Sequence, residues 1–153
     1  MCDLNEKYQG KSFTGFKAAL LDTKTNEIRS IATFLLYKPG KVPALTLEDA
    51  MLAKRSLLEI FSLLRLCNPI YMARGYAYSE SLSGRTAAFV KKDRDVAIDL
   101  ALRMSRLIFN DRYKAVVIKI TLSDTYRLVA GTYYDGKVVA GDTIKKISIA
   151  QTI

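Results

Sequence analysis

Histidine is missing from all 153 residues. With it go the one side chain whose ordinary pKa lies near neutrality and the commonest nitrogen ligand of zinc, copper and non-haem iron. Most hydrolase, metalloenzyme and general-base schemes are therefore excluded. Cysteine is scarce: Cys2 and Cys67 are the only two. They are too few for the disulfide framework of a small secreted domain, and they form no CxxC unit. Cys67 follows the apolar run that ends at Leu66 and reads as a buried small hydrophobe. No run of about 18 uncharged apolar residues occurs, and the opening MCDLNEKYQGKSF holds neither a signal-peptide core nor a myristoylated Met-Gly start. An intracellular location, cytoplasmic or nuclear of a host, is expected. The glycines compose neither GxGxxG nor GxxxxGK[ST], and the acidic residues are scattered as caps and turn formers. No cofactor, metal or catalytic residue is expected.

What is present is charge of one sign on an apolar chain. Lysine and arginine number 24 against 15 acids, a net +9, while 50% of the residues are hydrophobic. The charge thus belongs to a packed domain and not to a disordered basic tail. Residues 1–12 are polar and charged and read as a flexible arm; residues 13–153 read as a single domain.

Two β-branched and aromatic runs, 13–22 and 27–37, flank the turn-rich TKTN and predict a hairpin. Both are more continuous than alternating, which argues for burial on both faces, or for one face turned to a helix and the other to a partner. KPGKVPA at 38–44 is a connection. Thr46 then predicts a helix N-terminus, reinforced by Glu48 and Asp49, and the apolar pattern carries that helix to Leu66 or Cys67 before Pro69. A tyrosine-rich run, 70–80, and a short strand, 86–90, precede a second helix from Asp93 or Asp95 to about Phe109. Asp99 and Arg103 are placed there for an i, i+4 pair, and Val96, Ile98, Leu100, Ala101, Leu102, Met104, Leu107 and Ile108 for the core. Strands over 113–122, 125–134, 137–140 and 144–149 finish the chain, with Asp135-Gly136 as a type I′ turn signal. The class is α+β: one domain with a mainly antiparallel or mixed β-sheet packed against two α-helices.

Net charge is +3 over residues 1–45, zero over 46–69, +3 over 70–94, −1 over 95–111 and +4 over 112–153. The helical segments contribute nothing positive, so the basic surface is expected on the sheet and its loops. Such a field draws in polyanions. The densest part holds Arg74, Tyr76, Tyr78, Arg85, Lys91, Lys92 and Arg94. Rings that stack on unpaired bases beside cations that hold phosphates make these the candidate anion- or nucleic-acid-binding residues; solvated arginines beside edge-packed tyrosines are the plain alternative. Lys114, Lys119, Arg127, Lys137, Lys145 and Lys146 form a second basic grouping, part of which is ordinary edge-strand protection. The apolar helix is either central to the core or hides one side in an oligomer interface, and for the latter it nominates Leu57, Phe61 and Leu64 for self-association.

The expected function is that of a non-enzymatic basic binding protein that self-associates and engages nucleic acid, single strands and RNA included, or another anionic surface such as a membrane. A viral or phage accessory protein would suit this pattern. One alternative is a protein-protein interaction module or inhibitor meeting an acidic host protein. Another is a histidine-free enzyme acting on a nucleotide or phosphate ester through Arg85, Tyr76 and a nearby acid.

Overall fold

The computed structural model describes residues 3–7, 12–31, 34–42, 46–61, 88–91, 94–123, 129–133, 136–141 and 143–153. Among them run β1 (Asp3–Lys7), β2 (Phe13–Asp22), β3 (Ile28–Arg29), β4 (Leu36–Tyr37), β5 (Gly40–Lys41), α1 (Leu47–Leu58) and β6 (Ala88–Lys91). They are followed by α2 (Arg94–Ser105), β7 (Tyr113–Leu122), β8 (Val129–Tyr133), β9 (Gly136–Gly141) and β10 (Thr143–Thr152). The strands form one antiparallel sheet in the order β1-β8-β9-β6-β2-β7-β10-β5, with β3 and β4 appended to β2. With two short helices this is an α+β arrangement. Among the described residues no helix is long and apolar enough to cross a membrane.

β2 and β7 form the centre, paired along their whole length from Phe13↔Leu122 to Asp22↔Tyr113. Directly opposed residues share a face, so the register sorts the side chains. One face carries Ala18, Leu20, Ala115 and Val117. Ala97 and Ala101 of α2 pack on Ala18, Ala115 and Val117. Leu57 of α1, with Ile60, Phe61 and Met104, packs on Leu20. The other face carries Ala19, Val116, Ile118, Ile120, Leu122 and Ile144, joined by Tyr37 and Val42. The segment from β4 to β5 supplies that cover. It leaves β3 beside Leu36 and Tyr37 and ends by pairing Gly40 and Lys41 with Ile144 and Thr143. Burial on both sides is the reason β2 and β7 read as continuous apolar runs.

α1 starts as the capping chemistry requires. The Asp49 amide donates to Thr46 Oγ1 and the Thr46 amide to Asp49 Oδ2, each at 3.1 Å. It stops at Leu58, well before the expected Leu66. The amides of Glu59 and Ile60 tighten onto Ser56 and Leu57 carbonyls, and Phe61 bridges to Ile108 while the Phe109 amide donates to the Ile60 carbonyl at 3.0 Å. Tertiary partners thus satisfy the helix end where no local breaker stands. Leu57 and Phe61 are 0% and 2% exposed. Of the residues expected at a self-association surface, these two pack within this chain, and Leu64 lies outside the described residues.

α2 is shorter than expected, and its core face is corrected. Ala97, Ala101 and Met104 are buried, whereas Leu100 and Leu102 are 43% and 42% exposed. Close approach of the helix to the sheet selects the small residues. Asp99 and Arg103 do pair, at 2.7 Å. The run 27–37 is not one strand either: it folds back through Phe34 at φ 58° into β3 and β4. Asp3–Lys7, expected within the arm, pairs with β8 as β1, with a register shift between Asp3 and Glu6. Backbone groups along β8 can recruit a polar strand that hydropathy does not reveal. Tyr133 pairs with Gly136, which makes Gly136 a strand residue and not a central residue of the turn.

Candidate anion-binding face

α2 packs on the rows Ala18/Val117 and Leu20/Ala115, with Phe16 at the margin of that contact. Past its first residue, Arg94, the same face continues for two further rows, most of whose β7 and β10 side chains are exposed. In the first, Lys91 of β6 is the register partner of Phe16, Phe16 of Lys119, and Lys119 of Ser148. In the second, Thr14 opposes Thr121 and Thr121 opposes Lys146. Thr14 and Thr121 share a hydroxyl hydrogen bond of 2.8 Å, which confirms that their side chains stand on one face. Thr14, Lys119, Lys146 and Ser148 are exposed, and Phe16 and Thr121 half-buried. Three inter-strand spacings make the Lys91-to-Ser148 row about 15 Å wide.

Arg94 closes the row at the helix end. Its guanidinium lies over the Phe16 ring, 5.7 Å from the centroid, and Nη2 donates to the Ala150 carbonyl and to Gln151 Oε1, each at 3.3 Å. The arginine therefore ties α2 to β10 while remaining exposed. A cation over the ring face is itself stabilising.

No family model, curated protein or solved structure matches this chain. Its chemistry must be read from the geometry.

The expected site residues divide accordingly. Arg94 belongs to the open face, and Lys91, on β6, is the register partner of Phe16. Arg74, Tyr76, Tyr78, Arg85 and Lys92 lie outside the described residues. From the second basic grouping, Lys119 and Lys146 join the open face. Lys114, register partner of Leu21, belongs to the opposite face at the far end of β7. Lys145 is exposed within a register shift, Lys137 lies in β9, and Arg127 is outside the described residues. Phe16, Thr14, Thr121 and Ser148 were missed in the sequence because nothing local says which strand they stand beside.

Both helices are electrically balanced within their observed bounds. Glu48 and Asp49 offset Lys54 and Arg55 in α1; Asp95 and Asp99 offset Arg94 and Arg103 in α2. Among the described residues the excess cations accordingly stand on strands and connections, although Lys24 and Lys114 keep part of that charge away from the open rows. Among the described residues no group of three or more Cys, Asp or Glu could hold a metal. A separate open depression of about 320 Å³ is lined by Ser105, Phe109, Asp111 and Lys114, among others. Ser105 Oγ donates there to the Leu102 carbonyl at 2.7 Å.

Proposed function

We propose that this protein is a non-enzymatic binder of nucleic acid, which it holds by its backbone on the open rows beyond the start of α2. The observation that carries the reading is convergence: Arg94, Lys119 and Lys146 come from three separate elements to one exposed strip, with Lys91 in register beside them. Charge alone would suit any polyanion. Hydroxyls at Thr14 and Ser148 among the lysines favour phosphate oxygens, which accept from hydroxyl and ammonium donors alike. A flat strip of strands also suits a backbone laid across it, with the half-buried Phe16 ring presenting an apolar edge to sugars or bases.

Fluorescence anisotropy with a labelled single-stranded RNA and its DNA counterpart, taken across a salt series, tests this. Binding should weaken linearly in log salt, and Lys119→Glu with Lys146→Glu should lower affinity at least tenfold at low salt. Neutralising both lysines as Gln should flatten the slope by about 0.7–0.9 for each phosphate that no longer meets a cation. No binding at low salt, or binding indifferent to these substitutions, overturns the reading and turns the search to an acidic protein partner.

A further inference from the structure

β10 is bordered by β7 on one side along most of its length, but on the other side β5 reaches only Thr143 and Ile144. From Lys145 to Thr152 the outer edge has no strand partner among the described residues. Two register shifts, between Ile144 and Lys146 and between Ile149 and Gln151, bend the ends of this edge, and lysines guard its start. Such devices normally discourage edge pairing. They leave the stretch between them, Lys146 to Ile149, in unbroken register with Thr121 to Ile118. Within it Ile149 is 43% exposed.

We infer that this edge pairs with the β10 edge of a second copy of the chain, antiparallel, about a two-fold axis at Ser148. Antiparallel pairing requires opposed residues to share a face, so the axis must pass through a residue and not between two. An axis at Lys146 would set two ammonium groups against each other. One at Ile147 would set Lys145 against the apolar Ile149, and one at Ile149 would centre the joint on the register shift between Ile149 and Gln151. At Ser148, Ile147 of each copy meets Ile149 of the other, Lys146 meets Ala150, and no lysine opposes a lysine. Four isoleucines then line one face of the joint, burying the apolar surface that Ile149 exposes in the single chain.

The consequence for the opposite face deepens the proposed function. A two-fold axis perpendicular to the sheet presents the same side of both copies. Ser148 and Lys119 of one chain would lie beside those of the other, turning two strips into one basic platform. The pairing itself does not depend on nucleic acid, so it is tested without any.

The test is the solution mass of the full chain by light scattering and sedimentation over the micromolar range, together with three single variants at exposed positions. The wild type should run at twice its 17.1 kDa, and Ile149→Lys should shift it to monomer with an unchanged circular dichroism spectrum. Under mild oxidation Ser148→Cys should yield a covalent dimer, because directly opposed residues lie within disulfide reach. Lys146→Cys, whose two copies would stand several residues apart, should not. A wild type that stays monomeric overturns the inference, as does a dimer that survives Ile149→Lys. Cross-linking of Ser148→Cys no stronger than that of Lys146→Cys also overturns it. Ile149 faces away from Lys119 and Lys146, so these outcomes are separate from the loss of nucleic-acid binding.

Discussion

Arg112 grips Asp22 with both prongs of its guanidinium, Nε to Oδ1 at 2.9 Å and Nη2 to Oδ2 at 2.7 Å. The two residues are 90 positions apart. Oδ1 also accepts from the Lys24 amide at 3.0 Å, and the Thr23 hydroxyl donates to the Arg112 carbonyl at 2.6 Å. The turn after β2 is thereby latched to the connection before β7. The Arg112 hydrogen bonds outweigh burial and hold the Asp22 carboxyl well below the usual carboxylate range.

Acid should open this latch. A carboxyl depressed in the fold contributes stability that is complete above its unfolded pKa, near 3.9, and is lost as the pH falls through the lower folded value. Urea midpoints should therefore decline steeply below about pH 4. Asp22→Asn should be less stable at neutral pH and show a shallower acid decline. Equal slopes for the two proteins would refute this assignment.

At the alkaline end, burial pushes the Tyr37 hydroxyl up to about 12, against a hydrogen bond with Ser30 that works in the other direction. Its neutral form is favoured in the fold, so its contribution is complete below the unfolded value near 10 and fades as the pH rises towards 12. Tyr37→Phe should flatten the loss of thermal stability across that window, with absorbance titration of the phenolate as a direct check.

Thr46→Ala should cost about 1 kcal/mol through loss of the cap on α1, while Thr46→Ser should be nearly neutral. Because Thr46 is exposed, the effect isolates the cap from packing. Chemical denaturation followed by circular dichroism measures it.

The alanine contact between α2 and the sheet gives the last expectation. Ala101 is 0% exposed against Ala18 and Ala115, so Ala101→Leu should destabilise by about 1–3 kcal/mol through overpacking. Leu102→Gln, at a position 42% exposed, should stay within about 0.5 kcal/mol. The reverse ranking would put Leu102 and not Ala101 against the sheet.

β2 and β7 were legible to the residue, because strands buried on both faces carry dense apolar signal. The start of α1 was legible through Thr46, Glu48 and Asp49. Its end was not, since Phe61 leaves the helix to meet Ile108, and no local residue announces a partner 47 positions away. Arg94 and Lys91 stood out as part of a charge run. Lys119 and Lys146 looked like edge protection until register placed Lys119 beside Phe16 and Lys146 beside Thr121.

By itself, then, the sequence determined the α+β class, the central strands, the neutrality of the helices and the absence of imidazole chemistry. These are local or compositional properties, set by periodicity, capping and side-chain type. Only the tertiary structure decided which lysines share a face, that Leu57 and Phe61 serve the core, and that Arg112 finds Asp22. Each of those depends on the register between strands distant in the chain, and pairing energy accumulates across a whole sheet and is not encoded in any short stretch of it.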